Sequence, residues 1–229
     1  MDPSKNIKIC HWNIHGKKSP IIEDKLSDIE FNKQLNGSDI VVLTELHSDE
    51  KDLYITGYKL LKHKIRRKTH KGPKISGGIA AFVNENLVNP INVVPDTDEN
   101  SIWIKIKKNF SNDSDLYIGT YYISPKSVKN NINLFDILNE DISRFKDKGD
   151  ILIQGDFNAR VGYENDFIYN DHFLDNLFDS LSANTSNPLP LQNSEDNQTN
   201  PRARELLDFC KTNEFAIVNG RKIGDLFGK

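Results

Sequence analysis

In ILIQGDFN, residues 151–158, the apolar run Ile151-Leu152-Ile153 is followed by Gln154 and then by Gly155, Asp156, Phe157 and Asn158. Such a run is typical of a strand that is buried on both faces and needs covering layers. The polar residues that follow it lie where loops present functional groups on a rigid scaffold. The stretch predicts a strand with covering layers in a layered α/β protein, with chemistry at the carboxyl end of that strand.

The rest of the chain repeats this organisation, since short β-branched runs alternate with helical periodicity. The further predicted strands are Ile7–Ile14, Ile40–Leu46, Ile79–Val83, Ser101–Ile106 and Leu116–Tyr122. Apolar residues recur at helical spacing in Lys18–Leu35, Lys129–Lys146 and Asn200–Asn213. Strands interleaved with helices predict two packed β-sheets flanked by helices.

Length and composition indicate one globular domain over residues 1–229. The chain is 37% hydrophobic and 28% charged, which supplies a core and argues against disorder. Cys10 and Cys210 are too few and too far apart for a disulfide framework. The polar N-terminus lacks a secretory signal, and no stretch reaches membrane-spanning length. We expect an intracellular protein that is not secreted, with no membrane partner.

The net charge of −3 argues against a uniformly basic surface, but the positive charge is concentrated locally. The segment Lys59–Lys74 holds eight lysines and arginines and no acidic residue. A solvated surface loop and a contact with nucleic-acid phosphates explain this segment equally well.

Polar residues follow four of the predicted strands, and together they suggest one chemistry. A carboxylate that ends a buried strand, as Glu45 and Asp156 do, is costly unless it binds a metal or is hydrogen-bonded. Asn13 and Asn158 are amides that could hold a phosphate oxygen, and Tyr122 offers a hydroxyl toward an oxyanion. Carboxylates, amides and a phenol suit metal-assisted hydrolysis of a phosphodiester with Mg²⁺ or Mn²⁺. Each residue alone also has a structural explanation, as a turn, core or surface residue.

The ordered set of motifs is more specific than its members. The set is WN at 12–13, TE at 44–45, YISP at 122–125 and GDFN at 155–158, and it resembles the endonuclease/exonuclease/phosphatase superfamily. SGGIAAFV at 76–83, GDFNARVG at 155–162 and the segment 193–221 resemble the endonuclease domain of animal non-LTR (LINE-type) retrotransposons. The resemblance runs from about Ile7 to Arg221 and implies a four-layered α/β sandwich.

The resemblance also implies roles for individual residues. Glu45 would be the ligand of Mg²⁺ or Mn²⁺, and Asn13 a supporting amide. Tyr122 would stabilise the transition state, Asp156 would align or activate the attacking water, and Asn158 would hold the scissile phosphate. The resemblance further implies DNA as the partner, a monomer, the nucleus as the candidate compartment, and a reverse transcriptase domain downstream in a full-length polyprotein. Within the basic segment, the residues expected to contact DNA are Arg66, Arg67 and Lys68.

Two departures from the family pattern affect these expectations. His15 stands where many relatives have Asp or Asn near the metal. The closing motifs, a late Asp and a terminal Ser-Asp-His, are absent before Lys229. We therefore expect a chain that is truncated at its C-terminus, lacks the last strands, and is catalytically inactive by itself, because positioned acid–base catalysis contributes about 10²–10⁴-fold in rate.

Three functions remain open from the sequence. The leading one is an endonuclease that nicks DNA for retrotransposition. The second is a phosphatase or phospholipase of the same fold, and the third is a non-catalytic fragment of a mobile element.

Overall fold

The computed structural model describes residues 7–66, 75, 77–87, 90–95, 98–108, 114–124, 134–166 and 194–219. The chain divides into two compact units, Met1–Phe157 and Asn158–Lys229. The expectation of one domain over residues 1–229 stays a prediction.

The first unit contains eight described strands and two α-helices. The strands are β1 Ile9–Asn13, β2 Ile40–Thr44, β3 Tyr58–Lys64, β4 Ile79–Asn84, β5 Ile91–Val94, β6 Ser101–Ile106, β7 Asp115–Tyr122 and β8 Gly149–Asp156. The helices are α1 Ile29–Leu35 and α2 Leu134–Phe145, with short 3₁₀ turns at Lys25–Ser27 and Glu85–Leu87. The second unit contributes α3, Pro201–Asn213. No helix in the described parts of the chain is long and apolar enough to span a membrane.

The strands form two mixed sheets of four strands each, in the orders β1-β2-β4-β3 and β5-β6-β7-β8. One pair in each sheet is parallel, β1 with β2 and β7 with β8, and the other neighbours are antiparallel. The two parallel pairs are in register to their last residues, since Asn13 pairs with Thr44 and Tyr122 pairs with Asp156. Each sheet therefore presents two carboxyl-terminal strand ends side by side.

The alternation of side chains along β2 shows how the layers assemble. Every residue of β2 is buried. Val41 and Leu43 join a cluster with Phe31 and Leu35 of α1, whereas Ile40 and Val42 join a cluster that the second sheet completes. A strand with apolar residues on both faces thus lies between a helix and a second sheet.

The second sheet is covered on its outer face by α2. Phe145 of α2 stacks on Tyr117 of β7, with ring centroids 4.7 Å apart, and tilts against Trp103 of β6 at 4.8 Å. The order α1, first sheet, second sheet, α2 makes four layers. The α/β sandwich predicted from the sequence is confirmed.

The predicted elements differ from the structure at Lys18–Leu35 and at β5, and β8, which was expected to be buried on both faces, is only half-buried. Helical spacing over Lys18–Leu35 was misleading, because only Ile29–Leu35 is α-helical. The side chains of Asp24 and Asp28 accept bonds from Leu26 N and Phe31 N, so they start two separate turns rather than one helix. The sequence pattern also missed β5, which is only four residues long.

The basic segment Lys59–Lys74 is not a loop throughout, since residues 59–64 belong to β3. β3 lies at the edge of its sheet, where lysines are common because they discourage pairing with other chains. Residues 67–74, with Arg67 and Lys68, lie outside the described residues.

A buried polar network fixes α2 on the second sheet. The carboxylate of Asp141, which is fully buried, accepts bonds from Trp103 Nε1 at 2.9 Å, Tyr121 Oη at 2.8 Å and Arg144 Nη1 at 2.7 Å. Arg144 Nη2 in turn donates to the carbonyl of Pro95 at 2.7 Å. Burial and the charge of Asp141 raise the pKa of Tyr121, so its hydroxyl remains a donor. These hydrogen bonds replace the ones that the same polar groups make to water in the unfolded chain.

We expect Asp141→Ala to lower the free energy of unfolding by about 3 kcal/mol, because the buried hydroxyl of Tyr121 and the guanidinium of Arg144 lose the carboxylate that accepts from them. Urea denaturation followed by circular dichroism measures the change. Glu140→Ala, at the exposed neighbouring position, should stay within about 0.5 kcal/mol of the wild type. Equal midpoints for the two variants would show that the network does not hold α2.

Candidate active site

Four of the predicted site residues lie at carboxyl-terminal strand ends of the first unit. Asn13 is the last residue of β1, Tyr122 the last of β7 and Asp156 the last of β8. Glu45 directly follows β2. Because each parallel pair ends in register, these residues emerge at the same edge of their sheets.

Two hydrogen bonds join these residues across the sandwich. Asn13 Nδ2 donates to Asp156 Oδ2 at 2.7 Å, from the first sheet to the second. Tyr122 Oη donates to Glu45 Oε1 at 2.7 Å, from the second sheet to the first. The structure thus brings together four residues that are separated by up to 143 positions in the sequence.

Glu45 carries its negative charge in a partly enclosed position. Its side chain is 14% exposed, and His15 Nδ1 lies 2.9 Å from its Oε2. Burial by itself raises the pKa of Glu45, but hydrogen bonds from Tyr122, Asn13 and His15 outweigh it and hold the pKa below its ordinary value. The carboxylate is therefore ionised over the physiological pH range.

Tyr122 is a proton donor in this arrangement. Burial and the hydrogen bond to Glu45 both raise the pKa of its hydroxyl, against a smaller opposing effect of Arg66. A phenol with a raised pKa stays protonated at neutral pH and can hydrogen-bond to an anion.

The loops at this edge contain unusual backbone conformations. The backbone angle φ is 48° at His15, 55° at Glu45 and 50° at His47. Residues other than glycine rarely adopt this left-handed conformation. Gly16 N donates to Glu45 O at 2.6 Å, and His47 N to Gly77 O at 2.8 Å, so the loops hold each other. Strained residues persist where the surrounding structure fixes them, and they are common at functional sites.

Gly155 explains how Asp156 is presented. A Cβ atom at Gly155 would lie 1.9 Å from the carbonyl oxygen of Tyr121 in the paired strand. Only glycine allows this close approach of β8 to β7. The Gly-Asp dipeptide thus carries a steric requirement as well as a carboxylate.

Arg66 is the described member of the predicted DNA-contact residues. Its guanidinium carbon lies 6.0 Å from the centre of the Tyr122 ring, and the side chain is half-buried. A Cβ atom at Gly77 would lie 3.2 Å from Arg66 Cδ and 3.1 Å from Tyr122 Cε1. Gly77 therefore leaves room for the arginine beside the tyrosine.

Asn158 belongs to the second unit, where its backbone is also left-handed, with φ at 50°. Asn200 Nδ2 donates to the carbonyl of Asn158 at 3.0 Å, and Asn200 Oδ1 accepts from Arg160 N at 3.2 Å. The same Oδ1 accepts from Ala203 N at 2.8 Å and caps α3. Within the second unit, Asn200 therefore ties Asn158 and Arg160 to the start of α3.

Asn200 is not among the site residues predicted from the sequence. Its signal was present, since an Asn followed by a Pro before a helical repeat predicts a helix cap. The second use of the same side chain, toward Asn158 and Arg160, depends on how the loop folds back and has no local signal.

A metal ion would find few protein ligands here. Among the described residues, no group of three or more His, Cys, Asp or Glu side chains is arranged to hold a metal. Mg²⁺ commonly binds through one or two carboxylates and keeps several waters, and the ionised Glu45 meets that requirement. The donor set fits a hydrated, hard divalent cation.

No protein-family model matches the chain, and no curated protein matches it. Solved structures similar to it include an AP endonuclease from Archaeoglobus fulgidus, at 16% identity and a TM-score of 0.45 over 89% of this chain and 69% of that chain. The 3′ phosphatase NExo from Neisseria, bound to a product DNA hairpin, is 18% identical with a TM-score of 0.44 over 73% of this chain and 63% of that one. The human Nocturnin catalytic domain with bound sulfate is 15% identical with a TM-score of 0.39, over 67% and 64%. This chain spans about two thirds of the length of each, and the activities in their names belong to those proteins.

We expect Tyr122→Phe to raise the pKa of Glu45 toward its ordinary value, because a donor to the carboxylate is removed. An NMR titration of the Glu45 side-chain carboxyl carbon measures this shift. Tyr54→Phe, at an exposed tyrosine, is the matched control and should leave the titration unchanged. An unaltered Glu45 titration in Tyr122→Phe would show that the phenol does not donate to it in solution.

Two substitutions of Asn200 distinguish its role as the cap of α3 from its contacts with Asn158 and Arg160. Serine is as good a helix cap as asparagine but is too short to reach Asn158 and Arg160, so Asn200→Ser should keep α3 stable while the amide of Arg160 exchanges faster. Asn200→Ala should show the same faster exchange and also lose about 1 kcal/mol of stability. Hydrogen exchange by NMR reports both, and unchanged protection of the Arg160 amide in the two variants would contradict the assignment.

Proposed function

We propose that this chain belongs to a divalent-metal-dependent phosphodiesterase whose substrate is DNA, and that it provides most of the catalytic site of a nicking endonuclease of the LINE-type. The observation that carries the proposal is the pair of hydrogen bonds that crosses the sandwich, Asn13 to Asp156 and Tyr122 to Glu45. Two carboxylates, an amide and a phenol at one sheet edge are a set of groups suited to attack on a phosphate ester.

Glu45 would hold Mg²⁺ or Mn²⁺, since its carboxylate is ionised and partly accessible. When bound, the cation would withdraw charge from a phosphoryl oxygen and so favour attack on phosphorus. His15, which contacts the same carboxylate, would be displaced from it or join the ligands.

Asp156 would orient the attacking water and accept its proton. Asn13 Nδ2 holds Asp156 Oδ2 and fixes the direction of the carboxylate. The water oxygen would form a bond to phosphorus while the bond to the leaving oxygen breaks, and solvent would protonate that oxygen. Asn13 is in this view a positioning residue that acts through Asp156.

Tyr122 would stabilise the charge that develops on the phosphoryl group. Its raised pKa keeps the proton on the phenol, as a hydrogen-bond donor requires. In the structure the hydroxyl of Tyr122 donates its hydrogen bond to Glu45, so the substrate would compete with the carboxylate for this bond. The contact of Asn158 with the scissile phosphate stays a prediction from the sequence.

DNA is favoured over a small phosphate ester by the positive charge beside the site. Lys59 and Lys62 are exposed on the edge strand β3, which leads directly to Arg66. Cations along an edge can follow a phosphate backbone, whereas a single phosphate needs only a compact cluster. The resemblance to LINE-type endonuclease domains points the same way.

Glu45→Gln tests the metal assignment, because it keeps the shape of the side chain and removes its charge. We expect the affinity for Mn²⁺, measured by isothermal titration calorimetry, to fall at least tenfold. Glu30→Gln, at an exposed glutamate of α1, should bind as the wild type does. Equal affinities in all three proteins would place the cation elsewhere.

The reaction itself is tested with supercoiled plasmid in Mg²⁺, beside release of phosphate from inositol polyphosphate. The expectation that this chain is inactive by itself stays a prediction; any activity that it has should be nicking without phosphate release, at a rate that Asp156→Asn lowers about 10²-fold or more. Phosphate release alone would favour the phosphatase. Neither reaction, together with no binding of Mn²⁺, would favour a non-catalytic fragment.

A further inference from the structure

We infer that Arg66 contacts the phosphoryl group that reacts, beside Tyr122, rather than a remote phosphate of the DNA backbone. This inference rests on the proposed function and specifies which group of the substrate the arginine recognises.

The first observation is the position of Arg66. Its guanidinium lies over the ring of Tyr122, 6.0 Å from the centroid, while the hydroxyl of the same ring reaches Glu45. A cation that stacks on a ring is held near the ring's substituents. Arg66 thus lies against the ring of Tyr122, the tyrosine that the proposed reaction uses.

The second observation is that Arg66 is a half-buried cation with no acidic partner among the described residues. Among the carboxylates of the described residues, none forms an ion pair with it, although other half-buried or buried cations such as Lys17 and Lys105 have such partners. A partly desolvated guanidinium is stabilised by an anion, and an arginine presents a planar set of donors that matches two oxygens of a phosphate.

The third observation concerns space. Gly77 has φ at 80° and lies between Arg66 and Tyr122, so that even a Cβ atom would press on both side chains. The backbone thus makes room for the guanidinium at this place. The positive φ already favours glycine at this position, and the missing Cβ atom leaves the space in which the arginine and the tyrosine lie together.

The contact would place positive charge where the transition state gains negative charge. A non-bridging oxygen of the phosphodiester would accept hydrogen bonds from both Arg66 and Tyr122. The charge of Arg66 would also attract the phosphoryl oxygen to the hydroxyl of Tyr122. The hydroxyl would then donate its hydrogen bond to the substrate instead of to Glu45.

Inorganic phosphate is the probe that separates the two roles, because it has one phosphoryl group and no backbone. We expect Arg66→Ala to weaken phosphate binding at least tenfold in calorimetry, and Arg66→Lys to be intermediate because lysine lacks the planar donor pair. Arg204→Ala, at an exposed arginine of α3, is the matched control and should bind as the wild type does. Circular dichroism confirms that each variant is folded.

The inference is overturned if Arg66→Ala binds phosphate as tightly as Arg204→Ala does, or if the wild type binds none. Bis-p-nitrophenyl phosphate, a diester with one phosphoryl group, gives the second measurement in Mg²⁺. If the wild type hydrolyses this diester, we expect Arg66→Ala to lower kcat about 10²-fold with little change in KM. A wild type that hydrolyses neither this diester nor plasmid would agree with the inactivity expected of the chain by itself, and the phosphate titration would then decide the role of Arg66.

Discussion

The hydrogen bond between Asn13 Nδ2 and Asp156 Oδ2 ties the end of one sheet to the end of the other, and the candidate site depends on it. It forms only because β1 and β2 end in register, β7 and β8 end in register, and the two sheets pack with these ends on the same side. The apolar layer between the sheets, with Val42 and Ile118 among its residues, therefore has a functional consequence. Packing sets the distance at which two carboxylates and their donors meet.

Much of this arrangement could be predicted from local sequence. A buried strand such as Ile40–Thr44 has a distinctive apolar run, and a carboxylate directly after it stands out against that run. The positions of Glu45 and Asp156 at strand ends are thus encoded within a few residues. The layered fold follows from the same runs, since strands that are apolar on both faces require cover on both sides.

Other features depend on contacts that no local pattern encodes. That Asn13 reaches Asp156 while Tyr122 reaches Glu45 follows from the relative placement of two sheets. β3 escaped prediction because lysines interrupt its apolar alternation, as is common at a sheet edge. The single helix predicted over Lys18–Leu35 was wrong, because aspartate caps divide the segment into a 3₁₀ turn and a short α-helix although its apolar residues have helical spacing. The roles of the site residues, and the DNA contacts of Arg67 and Lys68, stay predictions.

The central claim is that Asn13, Glu45, Tyr122 and Asp156 form one site for a divalent cation and a phosphodiester. The most direct measurement is an NMR titration with Mn²⁺, whose unpaired electrons broaden the signals of nearby nuclei. The account predicts that the amide signals of these four residues disappear first and together, at substoichiometric Mn²⁺, while that of Glu30 on α1 persists. Early loss confined to another group of carboxylates, such as Glu195 and Asp196, with the four signals intact, would contradict it.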